Sequence, residues 1–158
     1  RTLNGDIAIS ITNNDSILLM VSNSLLVTLD YETSNIHFHV PYETFTSGID
    51  SIDQKLKNLR GTVLDFNGKI GITINTQNFT EQKYNMEGTL TDAIPPTKVR
   101  GKGSMSCIPS GDDMTPACTL LLSFESTLAD LNLENVFPSA QPKVRVDLRQ
   151  SILEKNDQ

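Results

Sequence analysis

Over most of its length the sequence alternates apolar and polar residues with a period of two. Ile7, Ile9 and Ile11 alternate with Asp6, Ala8, Ser10 and Thr12. Successive side chains of a strand point to opposite faces, so the pattern describes strands with one buried and one wet face. The same period returns in Ile36, Phe38, Val40 and Tyr42, in Tyr84, Met86 and Leu90, and in Val144, Val146 and Leu148. Leu64, Phe66, Gly68, Ile70, Ile72 and Ile74 share one register, a run longer than the usual strand of ~5–6 residues, with Asn67-Gly68 as a bend or turn inside it. Ile17 to Val21 is apolar on both faces, breaks at Ser22-Asn23-Ser24 and resumes as a further strand from Leu25 to Asp30. Val99 to Cys107 and Cys118 to Ser126 complete the set. Asn13-Asn14-Asp15 and Tyr31 to Asn35 read as turns. About eight or nine strands at near-regular spacing argue for an all-β barrel or sandwich. Closure would remove the exposed strand edges.

One stretch departs from this period. Ile49, Ile52, Leu56 and Leu59 recur at three- and four-residue steps, which predicts a helix across Ser47 to Arg60. Ser47 and Asp50 resemble a capping box, and Gly61 suits the C-terminal stop. So short a helix is marginal alone and must dock on the sheet structure.

Cys107 and Cys118 are the two cysteines of the chain. If they face each other across a hairpin, Met105 meets Leu120, Gly103 meets Leu122 and Gly101 meets Phe124. Every pair then shares the cysteine face, and each glycine leaves room for a large side chain. The pattern predicts a disulfide, which would stabilise by roughly 2–3 kcal/mol and fits an oxidising compartment.

The 158 residues are expected to form one domain, 1–158. The net charge is -6, and Lys98, Arg100 and Lys102 form the densest basic stretch, so no nucleic-acid partner is expected. The longest apolar run, Ile17 to Val21, falls far short of the ~20 residues of a membrane span, so no transmembrane segment is expected. The chain opens at Arg1 without a charged and apolar leader, as a trimmed or mature chain would.

His37 and His39 lie on one strand face at a spacing that can chelate a transition metal. A protein site usually adds a third ligand, and the sequence does not show one. The ordinary reading is a polar strand face, and no metal is assigned. GxSxG, HExxH and glycine-rich phosphate loops are absent. Asp112-Asp113 reads as a solvated turn. Asn14-Asp15-Ser16 and Asn78-Phe79-Thr80 match the glycosylation pattern. No catalytic residue and no cofactor are expected.

Several stretches resemble the YceI-like family, the lipocalin-like polyisoprenoid-binding proteins. Leu25 to Asp30 followed by Asn35 to Phe45 looks like the family's strand pair. Asp53 to Leu59 looks like its short helix, and Leu64 to Ile70 resembles the following strand. Glu87 to Thr91 through Arg100 to Gly103, then Leu121 to Asp130 and Val144 to Val146, resemble the later strands. Asp92-Ala93-Ile94-Pro95-Pro96 departs from the turn that many members carry. The resemblance implies an eight-stranded antiparallel lipocalin-like β-barrel with one short amphipathic helix over one end. It implies a non-enzymatic role in a periplasmic or secreted location. It also implies an apolar lipid partner such as a polyisoprenoid, quinone or fatty-acid derivative.

The expected cavity lining is Phe38, Leu64, Phe66, Ile70, Ile72, Met86, Leu122, Phe124, Val144 and Val146, with Leu56 from the helix. The helix is expected to be a mobile gate, hinged at Thr46-Ser47-Gly48 and at Gly61. A structural or interaction barrel of the cell envelope, filled by its own side chains, is the alternative. A homodimer stays open.

Overall fold

The computed structural model of the protein describes residues 2–74, 80–110 and 115–154. Asp112, Asp113 and the Asn78 glycosylation pattern lie outside the described residues up to Thr80. The strands are β1 (Thr2–Asn13), β2 (Ser16–Leu29), β3 (Asn35–Pro41), β4 (Val63–Ile70), β5 (Gln82–Leu90), β6 (Thr97–Ser110), β7 (Thr115–Thr127) and β8 (Ala140–Glu154). Each is antiparallel to the next, and β8 pairs with β1, so the sheet closes into an eight-stranded barrel. One helix, α1 (Asp50–Lys57), lies between β3 and β4.

The alternation sets which residues face in. β1 buries Ile7, Ile9 and Ile11, β3 buries Ile36, Phe38 and Val40, and β8 buries Val144, Val146 and Leu148. In β2 the parity switches partway. Met20 and Ser22 are buried, then Leu25, Val27 and Leu29. Gly5 faces Leu25 while Ile7 faces Ser22, so β2 carries one extra residue there. Ser22-Asn23-Ser24 is thus a bulge inside one strand and not a break between two. The adjoining hairpin turn is as expected, with Asn14 and Asp15 at φ 52° and 64°. That left-handed pair matches the strand twist and suits Asn and Asp.

The run from Leu64 divides. β4 stops at Ile70, and Asn67-Gly68 lies within the strand and not at a turn. Gly68 pairs with Gly88 of β5, and the Phe66 ring lies over both, leaving no room for a Cβ at either. The cysteine hairpin has the expected register, with Cys107, Met105, Gly103 and Gly101 opposite Cys118, Leu120, Leu122 and Phe124. Cys107 and Cys118 form a disulfide across 4.0 Å between Cα atoms.

The helix is shorter than its periodicity predicts, and its cap differs. Ile49 occupies the N-cap without a side-chain cap bond. Gly48, at φ 83°, turns the chain so that Ser47 meets Asp53 instead of Asp50. The Asp53 carboxylate accepts from both the Ser47 amide and hydroxyl, each at 2.7 Å. These bonds hold the Asp53 carboxyl below its ordinary value of 3.8, the hydroxyl bond contributing most. The helix ends at Asn58, and Gly61 at φ 81° then redirects the chain toward β4.

Candidate functional site

Closure places the inward residues of all eight strands around one apolar interior. Phe38, Phe66 and Phe124 meet there. Phe38 stacks on Phe66 at 4.8 Å between centroids, and Phe124 lies 6.1 Å from Phe66 and 6.2 Å from Phe38. The glycines opposite large side chains let these rings lie close against the wall. Leu64, Ile70, Met86, Leu122, Val144 and Val146 are buried on the same inner face. Ile72 lies beyond the end of β4 and is half-buried, its carbonyl accepting the Ser34 hydroxyl at 2.7 Å. Leu56 is fully buried but comes from α1. Phe38, Phe66, Ile70 and Val146 expose no surface, so the side chains themselves occupy the middle of the barrel.

Strand directions alternate, so one end of the barrel gathers the β1–β2, β3–β4, β5–β6 and β7–β8 connections. α1 closes part of this end with Leu56. The loop from β7 to β8 closes it with Leu128, Leu131, Leu133, Val136 and Phe137, all buried. Sequence reasoning missed this loop, because its apolar residues follow neither period. Tyr42, just after β3, donates its hydroxyl to the Leu131 carbonyl at 2.5 Å. Burial, and secondarily the Asp92 carboxylate, pushes that hydroxyl well above its ordinary value. Asn132 donates to the Asp92 carbonyl at 2.8 Å and ties in the β5–β6 connection.

Polar groups inside are few. Among the described residues, Ser22, Ser34 and Ser126 are the buried polar or charged side chains. Ser22 bonds Thr44, and Ser34 bonds Ile72. The Ser126 hydroxyl is buried near the helix end without a partner. The interior is apolar, with few hydroxyl groups among its buried side chains.

The outer wall is different. Lys98, Arg100 and Lys102 are exposed, and Arg100 pairs with Glu87 at 3.3 Å. Lys69, Lys98 and Arg100 line one groove together with Asp30 and Glu87. Grooves of about 740 and 780 Å³ lie on this outer wall, the first beside His37, Lys69 and Arg100, the second beside Val21, Thr46 and Leu121. Ile17, Leu19, Val21 and Leu121 are exposed apolar residues. His37 and His39 also face outward, beside Asp65.

Neither a family model nor a curated protein matches the sequence. Solved structures do match by fold. A polyisoprenoid binding domain from Saccharophagus degradans, implicated in plant cell wall breakdown, aligns with a TM-score of 0.73 at 10% identity, over 98% of this chain and 96% of that one. BcnA of Burkholderia cenocepacia aligns at 0.61 and 10% identity, over 94% and 96%. A mutant Campylobacter jejuni YceI protein with a monobromobimane guest aligns at 0.58 and 13% identity, over 85% and 81%. The chain has a YceI-like fold, shared with the polyisoprenoid binding domain.

Proposed function

We propose that this protein binds a long apolar or amphiphilic lipid, such as a polyisoprenoid, quinone or fatty-acid derivative, inside the barrel without catalysing a reaction. The observation that carries the reading is the apolar inner wall, in which no charged side chain is buried among the described residues. Such a wall discriminates by shape and hydrophobicity, with no charged acid or base buried among the described residues. The fold likeness to a polyisoprenoid-binding domain supports the same ligand class. The disulfide favours an oxidising compartment such as the periplasm.

Since side chains fill the interior in this state, uptake requires them to move. The expected lining residues Phe38, Phe66, Met86, Leu122 and Phe124 would turn against the wall, and α1 would swing aside. Gly48 and Gly61 flank α1 at positive φ and suit the role of hinges. The unpartnered Ser126 hydroxyl would take the polar head of the ligand.

A second reading is a structural or interaction barrel with no ligand, and the close packing of Phe38, Phe66 and Phe124 favours it. Native mass spectrometry separates the two. Protein purified without detergent, incubated with an isoprenoid alcohol, a quinone and an eighteen-carbon fatty acid in turn, is expected to carry one lipid per chain. Retention of the bare mass with all of them would establish the filled barrel instead.

A further inference from the structure

We propose that His37, His39 and Asp65 form a three-ligand site for a divalent transition metal of the zinc class on the outer wall of the barrel. The chain has two histidines, and both sit here. β3 presents them on one face at successive outward positions, and β4 sets Asp65 directly opposite His39. The ligand atoms of the three side chains lie within 4.8 Å of one another. His37 Nε2 is already 2.8 Å from Asp65 Oδ1.

Bonds of ~2.0–2.1 Å in a tetrahedral site place ligand atoms roughly 3.3 Å apart. The His37–Asp65 contact must therefore open slightly and the remaining distances close, which side-chain rotation achieves without moving the strands. His37, whose side chain is 37% exposed, has room to rotate about the Asp65 carboxylate, which is 20% exposed. Paired strands fix the backbone beneath them, a firmer base than a loop.

The carboxylate is also oriented from behind. Thr91 donates its hydroxyl to Asp65 Oδ2, and its amide donates to the Asp65 carbonyl at 3.1 Å. Oδ1 is thereby left directed at the histidines, the usual role of a partner behind a metal ligand. Two imidazole nitrogens and one carboxylate oxygen suit Zn²⁺, Ni²⁺ or Cu²⁺, whereas Mg²⁺ and Ca²⁺ favour all-oxygen sets. A fourth position faces solvent and would hold water or an outside donor. The site is separate from the barrel interior and stands whether or not a lipid binds there.

The test is calorimetric titration of the untagged full chain with zinc chloride in a non-chelating buffer. One zinc per chain is expected. His37→Gln, His39→Gln and Asp65→Asn should each weaken binding by at least about tenfold, and Thr91→Val by about tenfold. Cobalt substitution should give visible absorption in the wild type that all three ligand variants lose. Because these side chains face outward, the metal-free variants should keep the wild-type circular dichroism. A variant that loses it is replaced in the comparison by the other two. Absence of saturable zinc binding up to millimolar concentration would overturn the proposal, as would wild-type affinity in the variants or equal affinity for Mg²⁺.

Discussion

Two elements close the same end of the barrel, and they do so very differently. α1 is a regular helix that buries one side chain completely, Leu56, while Ile52 and Leu59 are half-buried and Ile49 is 44% exposed. The loop from β7 to β8 has no regular structure, yet Leu128, Leu131, Leu133, Val136 and Phe137 are all buried. Its backbone is satisfied by turns, as in Leu133 to Leu128 at 2.9 Å and Phe137 to Leu133 at 3.2 Å. Each buried aliphatic or aromatic side chain contributes ~1.5–3 kcal/mol, so the irregular loop is the firm seal and the helix the weak one. Regular structure does not mark where the strength of an end cap lies.

The largest effect is expected in the loop. Phe137→Ala should cost ~3–5 kcal/mol and lower the unfolding midpoint by roughly ten degrees or more. Calorimetry checks this, and a loss below about 1 kcal/mol would remove the loop from its role as seal. Leu56→Ala should cost less, about 2 kcal/mol, and act locally. Faster hydrogen exchange confined to residues 47–61 is expected, with the barrel still folded. A rise across every strand would make α1 part of the core and erase the contrast.

Of the two seals, acid should act on the helix. The Ser47 bonds hold the Asp53 carboxyl below 3.8 when folded, so its contribution is full above that value and lost as pH falls through the folded one. Exchange over α1 should therefore rise on acidification below 3.8, before the barrel unfolds, and Asp53→Asn should abolish that pH dependence. Loss of the β7–β8 loop at the same pH would contradict the assignment. The smallest effect on stability is expected beneath the loop. Ser126→Ala removes an unpartnered buried hydroxyl and should leave stability unchanged within about 0.5 kcal/mol or raise it slightly. The same change should weaken binding of an isoprenoid alcohol more than of a plain hydrocarbon, as parallel titrations would reveal.

The sequence carries this contrast unevenly. Strand faces were legible because burial on one side imposes a period of two, and the hairpin register was legible because Cys107 and Cys118 pin it. The β2 bulge reads like a turn because both devices use small polar residues, here Ser22-Asn23-Ser24. The helix start was misplaced because Gly48 brings Ser47 to Asp53, a choice between two carboxylates that spacing does not decide. The β7–β8 loop was illegible, since its residues are buried by the barrel mouth and not by any local repeat. Asp65 as the partner of His37 and His39 was illegible too. The β3–β4 register is set across the long connection containing α1, and no short turn fixes it.

The central claim is that a lipid sits inside the barrel and not on its wall. Photo-crosslinking with an eighteen-carbon chain bearing a diazirine, followed by peptide mapping, tests it most directly. Labels on Phe38, Phe66, Met86 and Phe124 are expected, reduced in competition with unlabelled lipid. Labels confined to the exposed Ile17, Leu19, Val21 and Leu121, or no competable label, would contradict the account.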